Sequence, residues 1–176
     1  MTTQILIAPG FRGSGDDHWQ TYWQKENQEY IRIEQNDWNQ PVAEEWAETI
    51  EKYVRETSGE IIIVAHSLAC IALAFWAQKT KLKIKAALLV APPNTNDIKL
   101  KTVLKGFSPV PLKRLPFKTI LVASTNDEYN SIEESENLAR KWGSVFVNVG
   151  EKGHINAASN LHNWSEGRAY LSKLLF

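Results

Sequence analysis

Glu60-Ile61-Ile62-Ile63-Val64-Ala65-His66-Ser67-Leu68-Ala69-Cys70 is the stretch on which the fold turns. Four consecutive β-branched residues, Ile61 to Val64, read as a strand buried on both faces, because a half-exposed strand alternates apolar with polar. The chain then passes through Ala65-His66-Ser67-Leu68-Ala69 into Leu68–Gln78, which is nearly all apolar and reads as a buried helix. Strand, tight turn and helix with a serine at the apex form the nucleophile elbow, whose usual pattern is G-x-S-x-G. Here alanine stands at both glycine positions. So sharp a turn crowds the backbone around the serine, which is why its neighbours at minus two and plus two must be small. It also places Ser67 at a helix N-terminus, where free N–H groups and the helix dipole favour a developing negative charge.

Outward from the elbow the same rhythm recurs. Short apolar runs occur at Gln4–Ala8, Tyr30–Ile33, Ala86–Val90, Thr119–Ala123 and Val145–Val149. Between them, Pro41–Thr57 spaces Trp46, Ile50, Tyr53 and Val54 at helical steps with glutamates on the other face, and Ser131–Trp142 opens with a capping serine and acids in its first turn. A last helix is expected from about Glu166 onward. Strands alternating with helices predict a three-layer α/β domain spanning residues 1–176, with about six mostly parallel strands and helices on both faces. The connection Pro92–Phe117 is long and carries Pro92, Pro93, Pro109, Pro111 and Pro116. A loop of that length is usually functional, and it is expected to border the site.

Composition narrows the classes of function. The 176 residues carry equal numbers of acids and bases, so no global charge pulls the chain toward nucleic acid or an anionic membrane. Charge is uneven along the chain: acidic residues dominate Glu26–Glu60, and basic residues dominate Lys79–Lys118. Two solvated faces are the plain reading. No apolar stretch approaches the roughly 20 residues of a membrane span, and the N-terminus lacks the basic region of a signal peptide, so the cytoplasm is the expected compartment. The lone Cys70 excludes an intramolecular disulfide and a cysteine-cage zinc site. No cofactor is expected: the first loop has neither the Lys-Ser/Thr pair of a phosphate cradle nor Gly-x-Gly-x-x-Gly.

A hydroxyl nucleophile needs a base, and the base needs an orienting acid, in the chain order serine, acid, histidine on this scaffold. After the fifth apolar run comes Ser124-Thr125-Asn126-Asp127-Glu128, and after the sixth comes Gly153-His154-Ile155-Asn156. Both groups lie at carboxyl ends of strands, where open α/β sheets place their ligands. Asp127 and His154 are therefore the expected partners of Ser67, with Asn126 and Glu128 as competitors for the acid. His162 follows no strand. His18, in Asp16-Asp17-His18-Trp19, is too weak a cluster to predict a metal, so a pocket-lining or structural role is expected for His18 and Trp19. His66 is expected to support the site from behind the serine, Cys70 to pack in the core, and Asn156 and Gly10 to border the pocket. The glycine-rich turn Gly10-Phe11-Arg12-Gly13-Ser14-Gly15 can aim backbone N–H groups at the cleft, which makes the Phe11 and Leu68 N–H groups the candidate oxyanion hole.

These residues resemble a known family. Gly13-Ser14 and Asp17-His18-Trp19-Gln20, Ala65 to Cys70, Ser124 to Asp127, Trp142-Gly143, Gly153 to Ser159 and Trp164 to Gly167 are together similar to the small serine hydrolases related to retinoblastoma-binding protein nine. The resemblance covers nearly the whole length. It implies a short α/β-hydrolase fold without a large lid, and it matches Ser67, Asp127 and His154 to the family's catalytic positions. The chain departs from the family at Ala65, Ala69 and Asn160, where glycine is usual. The expected function is hydrolysis of small or medium esters, thioesters or amides, with a small-molecule acyl substrate as ligand. Seven tryptophans, several in polar segments, leave a protein-binding module as the alternative.

Overall fold

A computed structural model describes residues 2–96 and 103–176. The elements in chain order are β1 (Thr3–Ala8), α1 (Trp19–Glu26), β2 (Ile31–Arg32), α2 (Ala43–Glu56), β3 (Glu60–His66), α3 (Leu68–Lys79), β4 (Ala86–Val90), β5 (Lys118–Ala123), α4 (Ile132–Trp142), β6 (Val145–Asn148) and α5 (Ser165–Leu175), with a short 3-10 turn at Ala157–Ser159 before α5. The six strands form one sheet in the order β2-β1-β3-β4-β5-β6, and every pairing is parallel.

Side chains of the strands alternate between two cores. Leu6, Ile61, Ile63, Ala87, Leu89 and Leu121 face α2, α3 and α4. Ile5, Ile7, Ile62, Val64, Leu88 and Val122 face α1 and α5. Both faces are covered, so the strands can be apolar throughout, and the continuous runs seen in the sequence follow from that. α3 leaves the centre of the sheet and is buried on nearly every side, which accounts for its uniform apolarity. α4 starts on Ser131, whose hydroxyl accepts the Glu134 N–H at 3.1 Å, and stops on Gly143 in the left-handed region at φ 72°.

Most strands match expectation to within one residue, and two differ by two residues, for opposite reasons. β2 is only Ile31–Arg32, because it is an edge strand with a single neighbour, pairing Leu6 with Ile31 and Ile7 with Arg32. β3 runs on to His66, because it is central and is held on both sides through Ala8–Ala65 and His66–Val90. The acidic and basic stretches also meet: Lys79 pairs with Glu44, and Lys85 Nζ lies 2.8 Å from Glu60. Such pairs at the surface contribute little stability. Six tryptophans (Trp19, Trp23, Trp46, Trp76, Trp142 and Trp164) are buried, and Trp38 is half-buried, so the aromatic residues of polar segments belong to the interior. No helix among the described residues is long and apolar enough to cross a membrane.

Candidate active site

Ser67, Asp127 and His154 follow the carboxyl ends of β3, β5 and β6, and the twist of the sheet brings them to one point. The Ser67 hydroxyl is 2.8 Å from His154 Nε2, to which it can donate. His154 Nδ1 lies 2.9 Å from each Asp127 carboxylate oxygen, and Asp127 Oδ1 also accepts the Tyr129 N–H at 2.9 Å. The imidazole and carboxylate side chains are 7% and 4% exposed, so their interaction is little weakened by water. A carboxylate at Nδ1 fixes the tautomer that leaves Nε2 free to take a proton from the serine.

The elbow holds the serine through backbone sterics. Ser67 sits at φ 54°, ψ −124°, a strained conformation for a residue with a Cβ, and its N–H donates to Val90 O at 2.8 Å. Gly10 packs directly beneath it: a Cβ built there would stand 2.8 Å from Ser67 Cβ and 2.9 Å from His66 O. Ala65 and Ala69 are both buried and neither has positive φ, so alanine fits where the usual pattern has glycine. Asn160, by contrast, does occupy the left-handed region at φ 50°, a conformation that glycine and asparagine both tolerate. The Leu68 N–H opens α3, where no intrahelical acceptor exists for it, and neither it nor the Phe11 N–H donates among the turn and loop bonds of the described residues. Gly10 joins the two, since the Leu68 nitrogen is 3.3 Å from its built Cβ.

The loop bearing His154 is fixed in another way, by donors and acceptors imported from distant segments. His66 Nε2 donates to His154 O at 3.0 Å, and Trp19 Nε1 donates to Ile155 O at 2.8 Å. Asn126 accepts the Gly153 N–H at 2.7 Å, and Ser124 accepts the Lys152 N–H at 2.8 Å. Asn126, a competitor for the acid on sequence grounds, thus anchors the loop while Asp127 faces the imidazole. Asn156 accepts the Ala158 N–H at 3.0 Å and caps the 3-10 turn. Trp19 is 1% exposed and stands behind the cleft, whereas His18, His66, Phe11, Leu68 and Asn156 line it.

Gln20 enters the sequence reading only as the last residue of Asp17-His18-Trp19-Gln20, without a role of its own, and the structure gives it one. Its Nε2 donates to Ala8 O at 3.2 Å and Val64 O at 3.0 Å, while its Oε1 accepts the Ser14 hydroxyl at 2.6 Å. A single buried amide therefore ties β1 to β3 just before the glycine-rich first loop and the elbow diverge. A glutamine placed next to His18-Trp19 was the only available signal.

Burial sets the charge state of the surrounding groups. The His18 imidazole is pushed down to about 3 by desolvation, with Arg32 and His154 adding to the effect, and burial likewise holds His66 well below the usual imidazole range. Burial pushes the Cys70 thiol up, which leaves it an unreactive core residue. The cleft has a volume of 840 Å³ and combines the site with an apolar wall of Phe11, Pro93, Val103, Leu104 and Tyr129. Pro93, Val103 and Leu104 belong to the long connection between β4 and β5, which therefore borders the site; residues 97–102 of that connection lie outside the described residues.

Residues 5–173 match the family model described as serine hydrolase. The chain belongs to the serine hydrolase family, the one that includes the relatives of retinoblastoma-binding protein nine. A provisionally assigned YdeN-like hydrolase from Pectobacterium atrosepticum is 28% identical, with a TM-score of 0.87 over 98% of this chain and 90% of that one. The ydeN gene product of B. subtilis superposes with a TM-score of 0.83 at 20% identity, over 99% of both chains. Est1E from Butyrivibrio proteoclasticus, seen with ferulic acid bound, shares the fold at 12% identity and a TM-score of 0.73, over 99% of this chain and 90% of that one. No curated protein matches. This serine hydrolase is therefore an enzyme of the α/β-hydrolase fold, with its candidate residues at the strand ends where that fold does its chemistry.

Proposed function

We propose that this protein hydrolyses small or medium carboxylic esters, thioesters or amides through an acyl-enzyme on Ser67. The observation that carries the reading is the continuous relay Ser67 Oγ to His154 Nε2 at 2.8 Å and His154 Nδ1 to Asp127 at 2.9 Å. In the first half-reaction Ser67 Oγ attacks the substrate carbonyl while His154 takes its proton, and Asp127 stabilises the resulting imidazolium. The charge that develops on the carbonyl oxygen is met by the Phe11 and Leu68 N–H groups, neither of which donates among the turn and loop bonds of the described residues. The imidazolium then protonates the leaving alcohol, thiol or amine. Water repeats the sequence on the acyl-enzyme and frees the acid. The apolar wall of the cleft suits an acyl or alcohol chain of modest size.

A fluorophosphonate probe tests this directly. Wild-type protein is expected to carry the label on Ser67 and to cleave a short-chain aryl ester. Ser67→Ala is expected to fold normally, to take no label and to lose at least about a thousandfold in kcat/KM. A folded wild type that neither labels nor cleaves any such ester refutes the reading.

A further inference from the structure

His18 is the N-cap of α1, and its Nδ1 accepts the Gln20 N–H at 3.2 Å. A ring nitrogen that accepts carries no proton, so in the neutral imidazole the proton must sit on Nε2. The ring is neutral because it is 4% exposed and because burial, Arg32 and His154 all disfavour the charged form. Nε2 is thus a fixed N–H donor, and it has no partner among the described residues. Leaving such a donor unpaired in the interior costs about 1–3 kcal/mol, so its persistence calls for an explanation.

Among the described residues, three other buried polar atoms share this condition: Gln35 Oε1, Asn130 Oδ1 and Trp164 Nε1. Only His18 also lines the cleft that holds Ser67 and His154. Its ring packs edge-on against His66 at 4.6 Å between centroids, and His66 in turn lies 5.1 Å from the His154 ring. His66 has spent its own donor on His154 O, so it does not compete for a ligand in the same way. A neutral imidazole whose Nδ1 is held by a helix-start N–H and whose ring lines a reaction site is a known means of binding and polarising an oxygen without a charge.

We propose that His18 Nε2–H is a substrate-binding donor, and that it selects substrates bearing an ether, hydroxyl or carbonyl oxygen within a few bonds of the scissile carbonyl. The preference arises because a plain alkyl chain entering the cleft leaves the donor unpaired, whereas an oxygen at the right place satisfies it. This rests on Ser67 being the nucleophile.

The experiment uses pairs of esters that differ by one CH₂ replaced by oxygen. Aryl butyrate against aryl methoxyacetate probes the acyl side, and butyl acetate against 2-methoxyethyl acetate probes the alcohol side. Each ratio of kcat/KM is normalised to the intrinsic reactivity of the ester in hydroxide. Wild type is expected to favour the oxygen-bearing member of one pair by about tenfold, a discrimination of about 1.4 kcal/mol. His18→Phe keeps a flat ring and removes the donor, and it is expected to bring that ratio to parity. His18→Gln restores an N–H near the Nε2 position and is expected to recover part of the preference. A wild-type ratio within twofold of unity in both pairs means the donor never meets the substrate and overturns the proposal. So does a His18→Phe variant that loses equally on both members, which marks a structural role. If His18→Phe does not fold, the wild-type ratios and the Gln variant decide. Fluorophosphonate labelling of Ser67 separates the two readings: labelled protein without the preference rejects only the role of His18, and unlabelled protein rejects the site.

Discussion

The elbow at Ser67 and the loop at His154 deliver two halves of one reaction, and they are held in opposite ways. The elbow is positioned by its own backbone: a strand end, a strained φ, and Gly10 and Ala65 too small to push it aside. The loop has little regular structure and is positioned by side chains of Trp19, His66, Ser124 and Asn126, the first of them more than a hundred residues away in the chain. A nucleophile must be exposed on a sharp turn, and sterics alone can specify that. A base must stand at a set distance from two other groups, and only cross-links from those neighbourhoods can specify it. His66 does both, as it precedes the nucleophile in the chain and grips the carbonyl of the base.

Acid tests the comparison without mutation and has the largest expected effect. Burial pushes folded His18 down to about 3 and holds His66 well below the ordinary value of 6.5, so folding favours the neutral ring at both, whereas the unfolded chain gains protons there as pH falls through 6.5. A base whose pKa is lowered on folding gives stability that is complete above the unfolded pKa and lost as pH falls toward the folded one. His18 alone removes about 2 kcal/mol between pH 6.5 and pH 5, and His66 adds a loss of the same sign. Urea titrations at the two pH values, with hydrogen exchange at Ile155, should show the base loop losing protection first. Equal loss at the elbow would erase the distinction.

Gly10→Ala strikes the elbow alone. Its Cβ must displace Ser67 or His66 by several tenths of an ångström, and misplacement of a reacting group on that scale is expected to lower kcat about a hundredfold. Esterase assays on the purified variant check this; full activity would mean that the turn yields more easily than its packing implies. Trp19→Phe strikes the loop and the aromatic cluster behind it. It leaves Ile155 O without its donor and opens a small cavity, for an expected loss of about 2 kcal/mol. Calorimetry reads that loss as a lower melting temperature, and retention of wild-type stability would show the cross-link to be idle.

The same contrast explains what could be read from the chain. The elbow was legible because its requirements are local: apolar strand, small residue, serine, small residue, helix. The parallel sheet was legible too, since IIIV, AALLV and TILVA are patterns that only a doubly covered sheet explains. Ser67, Asp127 and His154 could be placed in order at three strand ends, and the structure brings them within hydrogen-bonding distance. The supports were not legible. That Trp19 would reach Ile155, that Gln20 would bridge Ala8 and Val64, or that Asn126 would hold Gly153 depends on distances that no spacing encodes. The brevity of β2 was hidden for a related reason: Tyr30–Ile33 has strand composition, but only a position at the sheet's rim limits it to two residues.

The backbone at Ser67 has one more consequence. A residue with a side chain pays about 1–3 kcal/mol to occupy such a region, and glycine pays far less. The strain lies in the backbone and Cβ that carry the nucleophile, so the folded molecule would relax if the whole side chain were cut back to hydrogen, as in Ser67→Gly, and not if the hydroxyl alone were removed, as in Ser67→Ala. Reactivity here is a standing debt against durability, and any stabilised descendant of this protein obtained by unbiased screening should be checked first at that position.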